Sequence, residues 1–182
     1  MPQAKNSEIT LQTASIGIDP KTGEVLFMQG GADFRSGNQL NRALDMRRQT
    51  GSAIKPVIYS AAIEEGTVTT ASRIDDTPIF SPRERRQEGQ PDYWLPENIT
   101  GVYEGTVSVR RALVQSKNIP AIRVGRLVGL NRLARQFRSF FFTENSIFDR
   151  RFRYDDTIAI GSLEMSPLEM ATAYTVFPNL GL

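Results

Sequence analysis

A single charge interrupts the most apolar run of the chain. From Ala53 to Ile63 almost every residue is apolar or small, and Lys55 is the only charged one. A helix that is apolar all round is a buried helix, and burial disfavours the charged form of a lysine and lowers its pKa. Ser52 lies three residues earlier, about one turn away on the same helix face. Gly51 marks a backbone turn into the helix. Pro56 is tolerated only in a first turn, so the helix must begin near Ser52. Free N–H groups at a helix start stabilise developing negative charge. A hydroxyl there, with a desolvated amine one turn on, has the makings of a nucleophile and its general base. The same residues carry a plainer reading, in which Ser52 caps the helix and Lys55 reaches water from its edge. A serine followed three positions later by a lysine arises about once by chance in a chain of ordinary composition. The pair alone does not decide between the two readings.

Composition narrows the chemistry. The 182 residues suffice for one domain with a sizeable core. Hydrophobic content of 40% and charged content of 23% are those of a soluble globular chain. A net charge of +2 is a slight imbalance and no signature of nucleic-acid binding. The chain has no His, which excludes a Ser-His-Asp site and His-ligated metals. It has no Cys, which excludes thiol nucleophiles, disulfides and thiolate zinc sites. Any serine nucleophile must therefore use Lys, Asp or Glu as its base. Neither a membrane-spanning stretch nor a signal peptide is expected. Only Lys5, Lys21, Lys55 and Lys117 are lysines, the other basic residues being Arg. Lysine can give up its proton in a protein and arginine cannot, so the choice at position 55 favours the chemical reading.

The elements that must position these residues can be read in order. Residues 1–10 are polar and expected to be frayed. Thr13 to Ile18 and Glu24 to Gln29 suit strands, and Asp19-Pro20-Lys21-Thr22-Gly23 between them is a turn signal, which predicts a β-hairpin ending at Gly30-Gly31. Asp33 to Met46 is expected to be a loop. The buried helix should run to about Glu65, with Gly66 as its stop. Thr67 to Gln90 reads as irregular, with a solvated mixed-charge loop at Arg83 to Glu88. A helix is expected from the Gly105-Thr106-Val107-Ser108 stretch, capped by Thr106 or Ser108. Val109, Ala112 and Leu113 form its apolar face. Ser116-Lys117-Asn118 interrupts it, and Pro120 starts another helix that Gly129 ends. Ser116 and Asn118 then sit on a tight link, either pointing into a cleft or capping the two helix ends. Leu130, Leu133, Ala134, Phe137 and Phe141 are spaced for an amphipathic helix with Arg132, Arg135 and Arg138 on its wet side. The run Phe140 to Phe142 reads as core, Thr143 to Asp156 as a polar loop, and Ile158 to Leu163 as an apolar stretch containing Gly161. Ser166-Pro167-Leu168-Glu169 has the form of a capping box, with Met170, Ala173 and Tyr174 facing inward.

Several of these stretches together resemble one family. Arg48-Gln49-Thr50-Gly51-Ser52-Ala53-Ile54-Lys55-Pro56 is similar to the active-serine motif of class A (bifunctional) penicillin-binding proteins. Gly105 to Asn118, ending in Ser116-Lys117-Asn118, resembles that family's second motif and the helix before it. Ile18 to Val25 and Gly161 to Ala171 also match its wording, in the right order and over essentially the whole chain. The serine, the lysine three later and the Ser-x-Asn triplet belong to the wider class of penicillin-recognising serine enzymes.

The resemblance implies an α+β fold, a partial penicillin-binding/serine β-lactamase-like transpeptidase domain over residues 1–182. A strand hairpin at 1–31 and a mainly helical subdomain at 51–182 would be its parts. It implies that Ser52 attacks a D-Ala-D-Ala stem peptide of peptidoglycan, with Lys55 as base, Ser116 as proton relay and Asn118 holding the substrate amide. An amine of a second stem peptide would take the acyl group, and β-lactam antibiotics would acylate the same serine. The Ser52 N–H would supply half of the oxyanion hole. No cofactor, metal or nucleic acid is implied. The expected place is the outer face of the bacterial cytoplasmic membrane, with a glycosyltransferase module and a membrane anchor upstream. Thr50 stands where proline is usual. The family's third motif, Lys-Thr/Ser-Gly on a strand, is expected after the second, whereas the only such triplet here, Lys21-Thr22-Gly23, precedes the serine and reads as a turn. The chain is accordingly expected to be a piece that ends before that motif and is inactive alone. A binding or scaffolding module of the same fold, or a D,D-carboxypeptidase or β-lactamase relative, are the alternatives.

Overall fold

A computed structural model describes residues 11–82, 91–141 and 145–181. In chain order the elements are strands β1 (Ser15–Ile18), β2 (Val25–Gln29) and β3 (Arg48–Gln49), then a 3-10 turn Gly51–Ile54 running into helix α1 (Lys55–Glu64). Strands β4 (Arg73–Asp76), β5 (Ser81–Pro82), β6 (Tyr93–Trp94) and β7 (Gly105–Ser108) follow. Helices α2 (Val109–Val114), α3 (Asn118–Val128), α4 (Leu130–Phe141) and α5 (Asn145–Arg151) come next. A 3-10 turn Asp156–Ile160, strand β8 (Glu164–Met165) and helix α6 (Pro167–Tyr174) complete the order. The chain divides into two compact units, Met1–Arg47 with Met165–Leu182, and Arg48–Glu164.

The first unit is built on the expected hairpin. β1 and β2 pair antiparallel, from Ser15 opposite Gln29 to Ile18 opposite Val25. The turn is held by Asp19, whose carboxylate accepts from the N–H groups of Lys21 and Thr22 at 2.8 and 3.2 Å, with Gly23 at φ 75°. Lys21-Thr22-Gly23 is thus a turn tip, as its composition predicts. Helix α6 packs on β1 and starts with the expected capping box between Ser166 and Glu169. Of its expected inner face only Ala173 is buried, with Met170 and Tyr174 half-buried. This corrects the expected helical subdomain at 51–182. Residues 165–181 belong with the hairpin, because a two-stranded sheet has no core of its own and gains one by accepting a helix.

The second unit is centred on α1. Ile54, Val57, Ile58, Ala61 and Ala62 are at most 2% exposed, and Lys55 and Tyr59 each only 1%, so this short helix is enclosed on nearly every side. It packs against α3 and α4. Its end matches expectation, with Glu65 at the C-cap and Gly66 in left-handed backbone. Helix α4 buries Leu133, Ala134, Phe137, Phe140 and Phe141, and its Arg132 and Arg135 are exposed. Arg138 is partly covered and bonds Asp149.

Three stretches differ from the sequence reading. Gly105 to Ser108 is a strand, pairing with β4 from Arg73 opposite Ser108 to Asp76 opposite Gly105; the helix starts after it, with Ser108 accepting from the Arg111 N–H. The stretch after Thr67 therefore contains a strand whose Arg-Ile-Asp-Asp sequence has little β character. The loop expected over Thr143 to Asp156 contains α5, in which Phe148 is buried. Arg83 to Glu88 and the Phe142–Thr143 step lie outside the described residues.

Candidate active site

The 3-10 turn that carries Ser52 is seated on backbone. The Thr50 N–H donates to Leu163 O at 2.9 Å and the Gly51 N–H to Gly161 O at 3.1 Å. Gly161 has φ 92°, and a Cβ there would stand 2.1 Å from Gly51 O. Only glycine permits both that conformation and that approach. The sequence reading noted Gly161 without this role. Its partner lies 110 residues away in the chain, out of reach of local pattern.

Ser52 lies in the 3-10 turn that leads into α1, near the helix start as expected. It caps no helix, since the position before the 3-10 turn is Thr50 and that before α1 is Ile54. The Ser52 hydroxyl makes no hydrogen bond among the described residues, and Lys55 is not its partner. The cause is the 3-10 turn, which shifts the α-helical start to Lys55 and puts Pro56 in its first turn.

The Lys55 amine turns to the α2–α3 link instead. Nζ donates to Ser116 O at 2.5 Å, to Asn118 Oδ1 at 2.7 Å and to Ser116 Oγ at 3.2 Å. Burial pushes its pKa down to about 8. Two of the three partners are carbonyl oxygens, which only accept. The Ser116 hydroxyl can also donate, so when the amine loses a proton its two remaining N–H bonds serve the two carbonyl oxygens and its lone pair can accept from the hydroxyl. The arrangement can therefore hold either form of the amine and pass a proton between Lys55 and Ser116.

The link is a helix-stop motif put to another use. The Ser116 N–H donates to Leu113 O at 3.0 Å and the Lys117 N–H to Ala112 O at 2.9 Å, the paired bonds of a Schellman motif. Ser116 occupies its left-handed position, at φ 53°. Glycine is the usual residue there, and an L side chain costs about 1–2 kcal/mol in that conformation. A non-glycine residue held so, with its carbonyl and hydroxyl on a buried amine, is the kind of strain that gathers at functional sites. Asn118 opens α3, its amide engaged at both ends by Lys55 and by Glu97 O, the latter at 2.8 Å. The side chains of Ser116 and Asn118 turn to the Lys55 amine.

Lys117 faces the other way. It is buried, 2.7 Å from Asp76 Oδ2 and 2.8 Å from Glu104 Oε1. Burial works against its charge, but the hydrogen bonds to Asp76 and Glu104 outweigh this and raise its pKa. The Glu104 carboxyl is held down, first by Lys117. Asp76, Asn98 and Glu104 were not singled out from sequence. Tyr59, one turn below Lys55, has a buried hydroxyl with no partner among the described residues. Burial, and then the charge of Asp76, push its pKa up. Among the described residues no group of acidic side chains could hold a metal ion, and no helix is long and apolar enough to cross a membrane.

The model of the penicillin-binding protein transpeptidase domain matches residues 14–182. The chain belongs to this transpeptidase family. Penicillin-binding protein 1A of Neisseria lactamica is 37% identical over 174 residues, which are 96% of this chain and 21% of the relative. That of Vibrio cholerae is 38% identical over 93% of this chain and 19% of the relative. The chain thus spans about a fifth of the length of these relatives. The crystal structure of penicillin-binding protein 1A from Haemophilus influenzae superposes with a TM-score of 0.79 at 34% identity, covering 92% of this chain and 23% of that one. The penicillin-binding protein PonA1 of Mycobacterium tuberculosis shares the fold, with a TM-score of 0.70 at 22% identity. The α+β reading and the family resemblance both hold for this transpeptidase domain.

Proposed function

We propose that the transpeptidase-family chain carries the nucleophile, base and proton relay of a D,D-transpeptidase that cross-links peptidoglycan through a serine acyl-enzyme. The observation that carries the reading is the buried Lys55 amine, one turn from Ser52 and in contact with both Ser116 and Asn118. Neutral Lys55 takes the Ser52 Oγ proton as Oγ attacks the carbonyl carbon of the D-Ala-D-Ala peptide bond. The amides flanking Ser52 are occupied by Gly161 O and Thr50 O, which leaves the Ser52 N–H as the donor for the oxyanion. The C–N bond breaks, and Ser116 passes the proton from Lys55 to the departing D-Ala nitrogen. Asn118 aligns the substrate amide with what remains of its hydrogen-bonding capacity. The amine of a second stem peptide then attacks the ester carbonyl, and Ser52 recovers its proton. A β-lactam enters the same path, and its ring nitrogen, still tethered after ring opening, cannot leave. The reaction places the chain where peptidoglycan is assembled, on the outer face of the cytoplasmic membrane.

The test is covalent labelling of the full-length protein with a fluorescent penicillin, followed by peptide mapping. One adduct on Ser52, lost in Ser52→Ala, is expected. An adduct on Ser116 with Ser52 unmodified would overturn the assignment.

A further inference from the structure

Helix α3 begins without a cap of its own. Lys117 stands at its N-cap, and its side chain makes no capping bond. The first N–H groups of the helix are nevertheless satisfied, by a residue twenty positions earlier. Asn98 Oδ1 accepts from the Asn118 N–H at 2.9 Å and from the Ile119 N–H at 3.2 Å. Its Nδ2 donates to Asp76 Oδ1 at 2.6 Å and to Val102 O at 2.9 Å. All four hydrogen-bonding positions of this amide are used, and Asn98 is 4% exposed.

Behind it, Asp76 is fully buried. Its second oxygen accepts from Lys117 Nζ and from the Glu104 N–H at 3.0 Å. The triplet Ser116-Lys117-Asn118 is therefore gripped at two of its residues, through the Lys117 side chain and through the Asn118 backbone. Both grips meet at Asp76. Ser116 has no hydrogen bond to Asp76 or Asn98 of its own and sits in left-handed backbone just before the two gripped residues.

We propose that Asn98, backed by the Asp76–Lys117 ion pair, is a positioning residue for acylation, holding Ser116 and Asn118 at the distances that enclose the Lys55 amine. This rests on the function proposed above. Asn98 touches neither substrate nor amine and acts through the link alone. Its loss leaves two helix N–H groups and one buried carboxylate oxygen unsatisfied. The link then relaxes and water reaches Lys55, which raises the amine's pKa and weakens it as a base.

The experiment measures the second-order rate of β-lactam acylation against pH in the full-length protein, with thermal unfolding followed in parallel. For Asn98→Ala, measured well below its unfolding temperature, a fall of about 10- to 100-fold in rate is expected, together with a higher pH midpoint. Should that variant fail to fold, the double swap Asn98→Asp with Asp76→Asn keeps an acceptor oxygen on the two α3 amides and a donor between the two side chains. The double swap is expected to acylate faster than Asn98→Asp alone. A folded Asn98→Ala with the unaltered rate and midpoint overturns the inference, as does a double swap no faster than the single change. If the unaltered protein forms no adduct on Ser52, the nucleophile assignment itself falls, and this inference with it.

Discussion

The Lys55 amine donates at 2.5 Å to the main-chain carbonyl of Ser116, a residue held in left-handed backbone at φ 53°. The amine is thus oriented by the backbone of Ser116 and not by Ser52. On the function proposed above, Ser52 acts without being tied to Lys55 beforehand, and the amine exchanges its proton with Ser116.

Lys55→Arg separates charge from basicity. Arginine retains the positive charge but cannot act as a base. Acylation by a β-lactam should fall by about 100- to 10,000-fold, the usual contribution of a general base. Stopped-flow or gel-based labelling measures it, and a near-unaltered rate would mean that charge alone is what the site needs.

The acylation rate should rise with pH and level off above about 8, where Lys55 is neutral in the folded protein. Stability should move the same way in a higher window. An unfolded lysine holds its proton up to its ordinary pKa of 10.5, and the folded one releases it near 8. Between these values the unfolded state binds more protons, so the Lys55 contribution to folding becomes more favourable as pH rises. Urea titrations between pH 7 and 10, compared with Lys55→Met, isolate this contribution.

Ser116→Gly should make the protein more stable and less active. Glycine relieves the left-handed strain, a gain of about 1 kcal/mol, while the hydroxyl beside Lys55 is lost. Ser116→Ala removes the hydroxyl without the relief. Thermal unfolding should separate the two variants, and labelling should show both impaired.

Gly161→Ala should be far more harmful than Gly23→Ala. Both glycines have positive φ, but the added Cβ meets open space at Gly23 and the backbone of Gly51 at Gly161. Gly23→Ala should cost about 1–2 kcal/mol of strain. Gly161→Ala adds overpacking of about 1–3 kcal/mol and displaces the turn that carries Ser52. Unfolding and acylation together test this, and acylation should survive only at position 23.

What could be read from sequence was whatever is local. The apolar run around Lys55, the Asp19 turn and the Ser166 capping box each carry their signal within a few residues, and each appears where expected. What was missed is held by partners far along the chain. Asn98 is an ordinary polar residue until it is seen on the amides of α3. Asp75-Asp76 argues against a strand until β7 pairs with it. Val107 read as part of a helix start, and the pairing with Ile74 makes it strand. The position of Ser116 was legible, but its strain was not. Serine after a helix looks like a polar end, and only the two closing hydrogen bonds show that it stands where glycine would.

The distances along the chain between site partners have a kinetic consequence. Lys55 meets its partners 61 and 63 residues away, Lys117 meets Asp76 across 41, and Thr50 meets Gly161 across 111. Every one of these loops must close before the site exists, and contacts of high sequence separation form slowly. On the proposed function, competence to react with penicillin should therefore be among the last properties recovered when the full-length protein refolds from denaturant, trailing helix formation. A labelled serine then counts native molecules, and the drug becomes a clock for the protein's own folding.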